Sequence, residues 1–233
     1  MVPLPLTDHI RRRSFWLITL ALIVANVWVF FFELAQGRNI NQLVFLFGIV
    51  PARYVTRYGF ANLTVPGFLL PIFISMFLHG GWLHLLGNML FLFVFGRSVE
   101  DRFGHFKFLC LYLLSGLAGA ILHIVLNAGS RTPSIGASGA IAGVLGAYFV
   151  SFPRARITML IPFFFLWTIE LPAILVLGYW FLIQFVTGYH MLAIQSATGG
   201  GVAWWAHVGG FLMGLVLALV FRPARRGQVM DMQ

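Results

Sequence analysis

The chain has 233 residues, 60% of them hydrophobic and only 9% charged, with a mean hydropathy of +0.92. A soluble domain carries roughly 25% charged residues, so this composition cannot build a water-facing surface; it also excludes intrinsic disorder, and the single cysteine, Cys110, excludes a disulfide scaffold. Fifteen Lys and Arg against six Asp and Glu give a net charge of +9, which in a polytopic membrane protein marks cytoplasmic loops rather than a nucleic-acid partner.

Apolar runs of about 17–25 residues are long enough to cross a hydrocarbon core roughly 30 Å thick. Six are expected, in chain order: 14–34, 83–95 with an apolar lead-in from Gly67, 106–127, 138–152, 157–188 (interrupted by Pro162 and Pro172), and 202–221. The first follows Arg11, Arg12 and Arg13, but it is too long for a signal-peptide core and lacks a small-residue cleavage site, so it reads as an uncleaved span. One membrane domain is expected over 14–222, flanked by an N-terminal tail (1–13) and a C-terminal tail (223–233).

Charge orients the spans. Arg11, Arg12, Arg13, Arg97, Arg102, Lys107, Arg154, Arg156, Arg222, Arg225 and Arg226 fall on one side, and Arg38, Arg53, Arg57 and Arg131 on the other. The positive-inside rule puts both termini in the cytoplasm. The long outer connection 35–66 contains the apolar stretch Leu43–Val50, too short to span, which points to a partly re-entrant or interfacial element. The fourth run is short too: fifteen residues cover about 22 Å as helix, so the preceding loop, Gly129–Ala137, must dip inward. Such backbone is tolerated only where protein packs it or water reaches it.

Polar groups inside spans are costly and default to functional hypotheses. The second run carries His79, His84 and Asn88, the fourth opens on Gly136-Ala-Ser138-Gly139, and the sixth holds His207, Gly210 and Gly214. At about 1.5 Å per residue, Ser138 sits roughly 24 Å above Arg154, His207 roughly 22 Å above Arg222, and His84 roughly 20 Å above Arg97. Three polar side chains thus share one level. Gly139, Gly143 and Gly146, with Gly210 and Gly214, have the small-residue spacing that lets helix backbones approach closely in lipid.

The residue types match acyl transfer. A serine hydroxyl needs an adjacent base, and His207 supplies one. At a helix N-terminus Ser138 meets unpaired backbone N–H groups that suit an oxyanion hole. His84 and Asn88, at i and i+4, present two more donors on one face. An acidic third member is missing, because nothing places Glu170, in the Pro-flanked fifth run, next to His207. His123 has no obvious partner and reads as structural, and His9, His105 and His190 read as solvated. A metal site is not expected: His79 and His84 are five apart, with neither an HExxH pattern nor a carboxylate beside them.

The ordered set His79-x4-His84-x3-Asn88, Phe95-Gly96-x3-Glu100-x3-Gly104, Gly136-Ala-Ser138-Gly139 and Ala206-His207-x2-Gly210-x3-Gly214 resembles the rhomboid intramembrane serine proteases, over about Phe77–Gly214. The resemblance implies an all-α, six-transmembrane-helix bundle without metal or cofactor. It makes Ser138 the nucleophile and His207 the base. It makes His84, Asn88 and the Ser138 amide the oxyanion hole, and it gives supporting roles to His79, Gly136, Gly139, Gly210 and Glu100. It also implies a lateral gate at Trp180, Phe181 and Gln184. Two departures stand out. A tyrosine common four residues after the nucleophile is Ala142 here, so another group must hold His207, and the Trp-Arg pair common in the first loop is absent.

The expected partners are the lipid bilayer and transmembrane substrates with helix-destabilising Gly or Pro near the cut and a small residue before it, with neither nucleic acid nor metal. The competing readings are an inactive relative that binds or chaperones transmembrane helices, and a small transporter. The first predicts a broken Ser–His pair, and the second a trail of ionisable groups through the cytoplasmic halves, which the runs lack. With no transit-peptide pattern, the expected location is the plasma membrane.

Overall fold

The computed structural model describes residues 4–55, 65–163, 165–194, 203–221 and 223. Arg57, Arg222, Arg225 and Arg226 of the charge count, Val202 at the start of the sixth run and most of the C-terminal tail lie outside them. In chain order the elements are β1 (Leu4–Asp8), α1 (Leu17–Ala35), α2 (Ile40–Phe47), α3 (Pro51–Val55) and α4 (Val65–Ser75). Next come α5 (Trp82–Phe103), α6 (His105–Leu126), α7 (Ser138–Ser151), β2 (Arg156–Phe163) and β3 (Phe165–Pro172). Finally come α8 (Ala173–Ile194) and α9 (Trp204–Val220). Within the described residues, α1, α5, α6 and α8 are long and apolar enough to cross a membrane, while α4, α7 and α9 are shorter apolar helices.

The run 157–188, expected as one interrupted span, is not one helix. Strands β2 and β3 pair antiparallel as a hairpin, and β1 pairs antiparallel with β2 to give a sheet of order β1-β2-β3. The fold is therefore mostly helical rather than all-α. Ile157, Thr158, Ile161, Trp167, Thr168 and Ile169 are β-branched or aromatic and suit a pleated surface, and an internal proline breaks a helix. Pro162 lies past the last described β1 pairing, Leu4↔Leu160, so among the described residues it faces no neighbour on that side of β2. Glu170 thus sits on a strand, 3.4 Å from His9. Helix α8 starts only after Pro172, and its first N–H groups find carbonyls: Ala173 donates to Ala155 at 2.8 Å and Ile174 to Pro153 at 3.0 Å.

Two carboxylates fasten the N-terminal part of the chain, Asp8 the segment read as tail and Glu100 the start of α1. The buried Asp8 accepts hydrogen bonds from Arg12, from Ser98 Oγ and, at 3.1 Å, from Tyr148 Oη. Glu100, fully buried, accepts the N–H groups of Ile18 and Thr19 at 2.8 Å each and the Thr19 hydroxyl at 2.6 Å. A carboxylate on the unpaired donors of a helix start complements the helix dipole, so Glu100 is the cap of α1. His105 is exposed, as the sequence suggests, with its ring 2.6 Å from Glu100, and His123, expected to lack a partner, takes a 3.2 Å contact from Asn127.

Helices α6, α7 and α9 meet through glycine. A side chain at Gly210 would fall on the Gly139 carbonyl, one at Gly214 on the Gly143 carbonyl, and one at Gly146 on the Phe211 carbonyl. At the α6 seam, Gly119 lies against Ala206 and Gly116 against Met76 and Ala140. The loop before α7 is pinned by backbone pairing of Ile49 with Ser134, at 2.9 and 2.8 Å, and by the Gly136 N–H on the Ser75 carbonyl at 2.8 Å.

Gly210→Val is expected to push α7 and α9 apart and cost about 3 kcal/mol, the scale of overpacking a tight interior. Gly87→Ala, where an added methyl meets no atom within 4 Å, should be neutral or stabilising by up to about 1 kcal/mol. Unfolding titrations of the two variants in mixed micelles check the pair.

Candidate active site

Ser138 is the first residue of α7, so its backbone N–H has no partner within the helix. The glycine seam then decides what faces it. Gly210 seats on the carbonyl of Gly139, next in chain to Ser138, and His207 lies one turn before Gly210 on α9. Consequently Ser138 Oγ and His207 Nε2 stand 2.8 Å apart. These two side chains come from positions 69 residues apart, brought to hydrogen-bonding distance by backbones that touch.

Two further groups hold the imidazole. His207 Nδ1 lies 2.6 Å from Oε1 of Gln184, and the ring of Trp180, one turn earlier on α8, lies 5.8 Å away at an interplanar angle of 37°. Both residues are polar or aromatic interruptions of an apolar run, and the family resemblance assigns them to a gate. Their contact with His207 depends on how α8 is rotated, which the run itself does not reveal. Phe181, the third gate residue, stacks instead on Phe211 of α9 at 4.6 Å.

The opposite wall comes from the start of α5. The Gly80 N–H donates to His84 Nδ1 at 3.4 Å, which leaves the ring proton on Nε2. That Nε2 borders Gly136, whose φ of +129° only glycine adopts readily. A methyl group on Gly136 would come 2.7 Å from His84 Nε2 and 3.7 Å from Ser138 Oγ. The space beside Gly136 is thus lined by a ring N–H on one side and the serine hydroxyl on the other. Asn88, one turn along from His84, is buried with its Nδ2 donor bonded to no protein group. An unmet buried donor is costly and asks for an explanation such as a ligand acceptor.

His79 and Glu33 support this wall. The His79 N–H donates to both carboxylate oxygens of the fully buried Glu33, at 3.0 and 3.1 Å, and the two histidine rings meet edge-on at 5.1 Å. Glu33 went unread in the sequence, although it is the only carboxylate in its apolar run; a charge placed there is a signal by itself. Glu100, in contrast, lies at the far end of α5 from His84, about 24 Å away along the helix, and Glu170 is on the sheet. Neither carboxylate reaches His207.

A cavity of about 30 Å³ opens beside Ser138, lined by Ile72, Ser75, Met76, Gly116, Gly139 and Ala206, among others. It has room for the centres of one or two waters, or for a small side chain.

The Rhomboid domain family profile matches residues 66–224. The chain is 33% identical to RHOMBOID-like protein 5 of Arabidopsis thaliana over 147 residues, 62% of this chain and 42% of that protein. It is 36% identical to RHOMBOID-like protein 4 of the same plant over 150 residues, 63% of this chain and 33% of that protein. The presenilin-associated rhomboid-like protein, mitochondrial, of Homo sapiens is 30% identical over 186 residues, 75% of this chain and 44% of that protein. The chain thus matches less than half the length of each of these relatives. With its apolar helices and a match that covers most of its length, the chain belongs to the rhomboid family of membrane proteins.

Proposed function

We propose that this chain is an intramembrane serine endopeptidase that hydrolyses peptide bonds in transmembrane segments of other proteins. The observation that carries this reading is the 2.8 Å approach of Ser138 Oγ to His207 Nε2 at an open helix N-terminus. In the proposed reaction His207 takes the serine proton as Oγ attacks the peptide carbonyl. The developing oxyanion meets the Ser138 N–H, the His84 Nε2–H and the Asn88 amide. Donors fixed before the reaction stabilise this charge without reorganising. His207 then passes its proton to the leaving amine, and a water activated by the same base releases the acyl group.

The substrate class follows from physics. A transmembrane helix satisfies its own backbone hydrogen bonds, so a cut needs a segment that unwinds, as Gly or Pro allows. The small cavity beside Ser138 favours a small residue before the scissile bond. In this reading six helices cross the bilayer: α1, α5, α6, α7, α8 and α9. Both termini lie in the cytoplasm by the positive-inside rule, and the membrane is the plasma membrane. Nothing in the mechanism calls for a cofactor, a metal or a nucleic acid.

In proteoliposomes with a transmembrane reporter, Ser138→Ala is expected to reduce cleavage by about 10³-fold or more; full cleavage by this variant would refute the proposal. A fluorophosphonate should label Ser138 in the unmodified chain. Binding of transmembrane peptides without such labelling would instead favour the helix-binding reading. His84→Ala should lower kcat by about 10²-fold with KM little changed, the signature of a lost transition-state donor. Gly136→Ala, which drives a methyl into the His84 ring, should reproduce that loss, measured in the same assay.

A further inference from the structure

We propose that Gln184 is the positioning residue that holds His207 in the one tautomer able to accept the Ser138 proton; this rests on the protease reading above. A neutral imidazole carries its proton on only one nitrogen, and the hydrogen bond made by one nitrogen decides the state of the other. Gln184 Oε1, 2.6 Å from His207 Nδ1, can only accept. The bond therefore keeps the proton on Nδ1 and leaves the lone pair on Nε2, where Ser138 Oγ waits at 2.8 Å. When the serine proton moves to Nε2, the imidazolium keeps its Nδ1–H on the same carbonyl dipole, so no group has to turn during the step.

The choice of an amide has a physical reason. An Asp or Glu at this depth would carry a charge out of water at a cost of several kcal/mol, and it would tend to neutralise instead. A glutamine supplies an acceptor without that cost. The rest of α8 supports the assignment. The helix is the least enclosed of the four long apolar helices, yet Gln184 is only 7% exposed. Trp180, four residues earlier on the same face, covers the ring that Gln184 holds. Together the two residues occupy the role left open by Ala142. Gln184 touches no reacting atom, and its effect on catalysis runs through His207.

The test uses the full-length chain in liposomes with a transmembrane reporter. Gln184→Met keeps the side-chain length and removes the acceptor; Gln184→Glu keeps an acceptor oxygen. The methionine variant is expected to lose about 100-fold in kcat with KM within about twofold, and the glutamate variant to recover at least about tenfold of that loss. Methionine kcat within about threefold of the unmodified chain, or equal losses in both variants, would overturn the proposal. A second measurement does not depend on either variant folding. The nitrogen-15 spectrum of histidine-labelled protein, with His207 assigned by its loss in His207→Ala, should show Nδ1 protonated; an Nε2-protonated ring overturns the assignment. Fluorophosphonate labelling separates the two failures. An unmodified chain that does not label removes the protease reading and this proposal with it, whereas Gln184→Met labelling as fast as the unmodified chain removes this proposal alone.

Discussion

Contact between the backbones of α7 and α9 is the constraint on which the rest depends. Lipid tails are as apolar as leucine, so apolar helices in a bilayer gain little by simply burying side chains against one another. They gain by close packing, and the absence of side chains at Gly139, Gly143, Gly210 and Gly214 allows carbonyls of one helix to lie against the α-carbons of the other. That separation sets the reach of every side chain near the seam. Ser138 and His207 are short side chains, and they meet because the helices carrying them have no room to stand apart.

Around this seam the buried carboxylates Asp8, Glu33 and Glu100 follow a common rule: each is held by donors that the fold brings to it. Glu100 takes the unpaired N–H groups at the start of α1, and Asp8 gathers an arginine and two hydroxyls where β1 docks on the helices. Glu33 takes the His79 N–H just before α5. None of the three stands beside His207, whose partners are an amide and an indole. The carboxylates thus fasten helix ends and entering segments rather than the Ser138–His207 pair.

The apolar runs were legible because crossing hydrocarbon demands a length and a composition that few other constraints produce. Ser138, His84, Asn88 and His207 stood out because polar atoms in such runs are expensive, and counting helical rise from the flanking arginines put three of them at one level. The run 157–188 misled for an equally physical reason: an apolar stretch looks alike as a buried helix or a buried strand. Its first half folds back on itself as a hairpin, completed by pairing with Leu4–Asp8, about 150 residues away in the chain. The contact of Asn127 with His123 was not legible because it depends on local helix geometry at the end of α6.

The sequence by itself determined that the chain belongs in lipid, where the first, third, fourth and sixth runs begin and end to within about a turn, and which costly polar residues lie inside the runs. Those properties follow from one-dimensional facts, namely residue type and spacing along a helix. Tertiary structure alone decided which nitrogen of His207 meets Ser138, which group meets the other nitrogen, and that Glu33 rather than Glu170 is the carboxylate near the His79–His84 wall. Such contacts depend on the rotation of each helix about its own axis. In apolar helices with little contrast between their faces, that rotation is set by the fit of neighbouring backbones and cannot be read from any one segment.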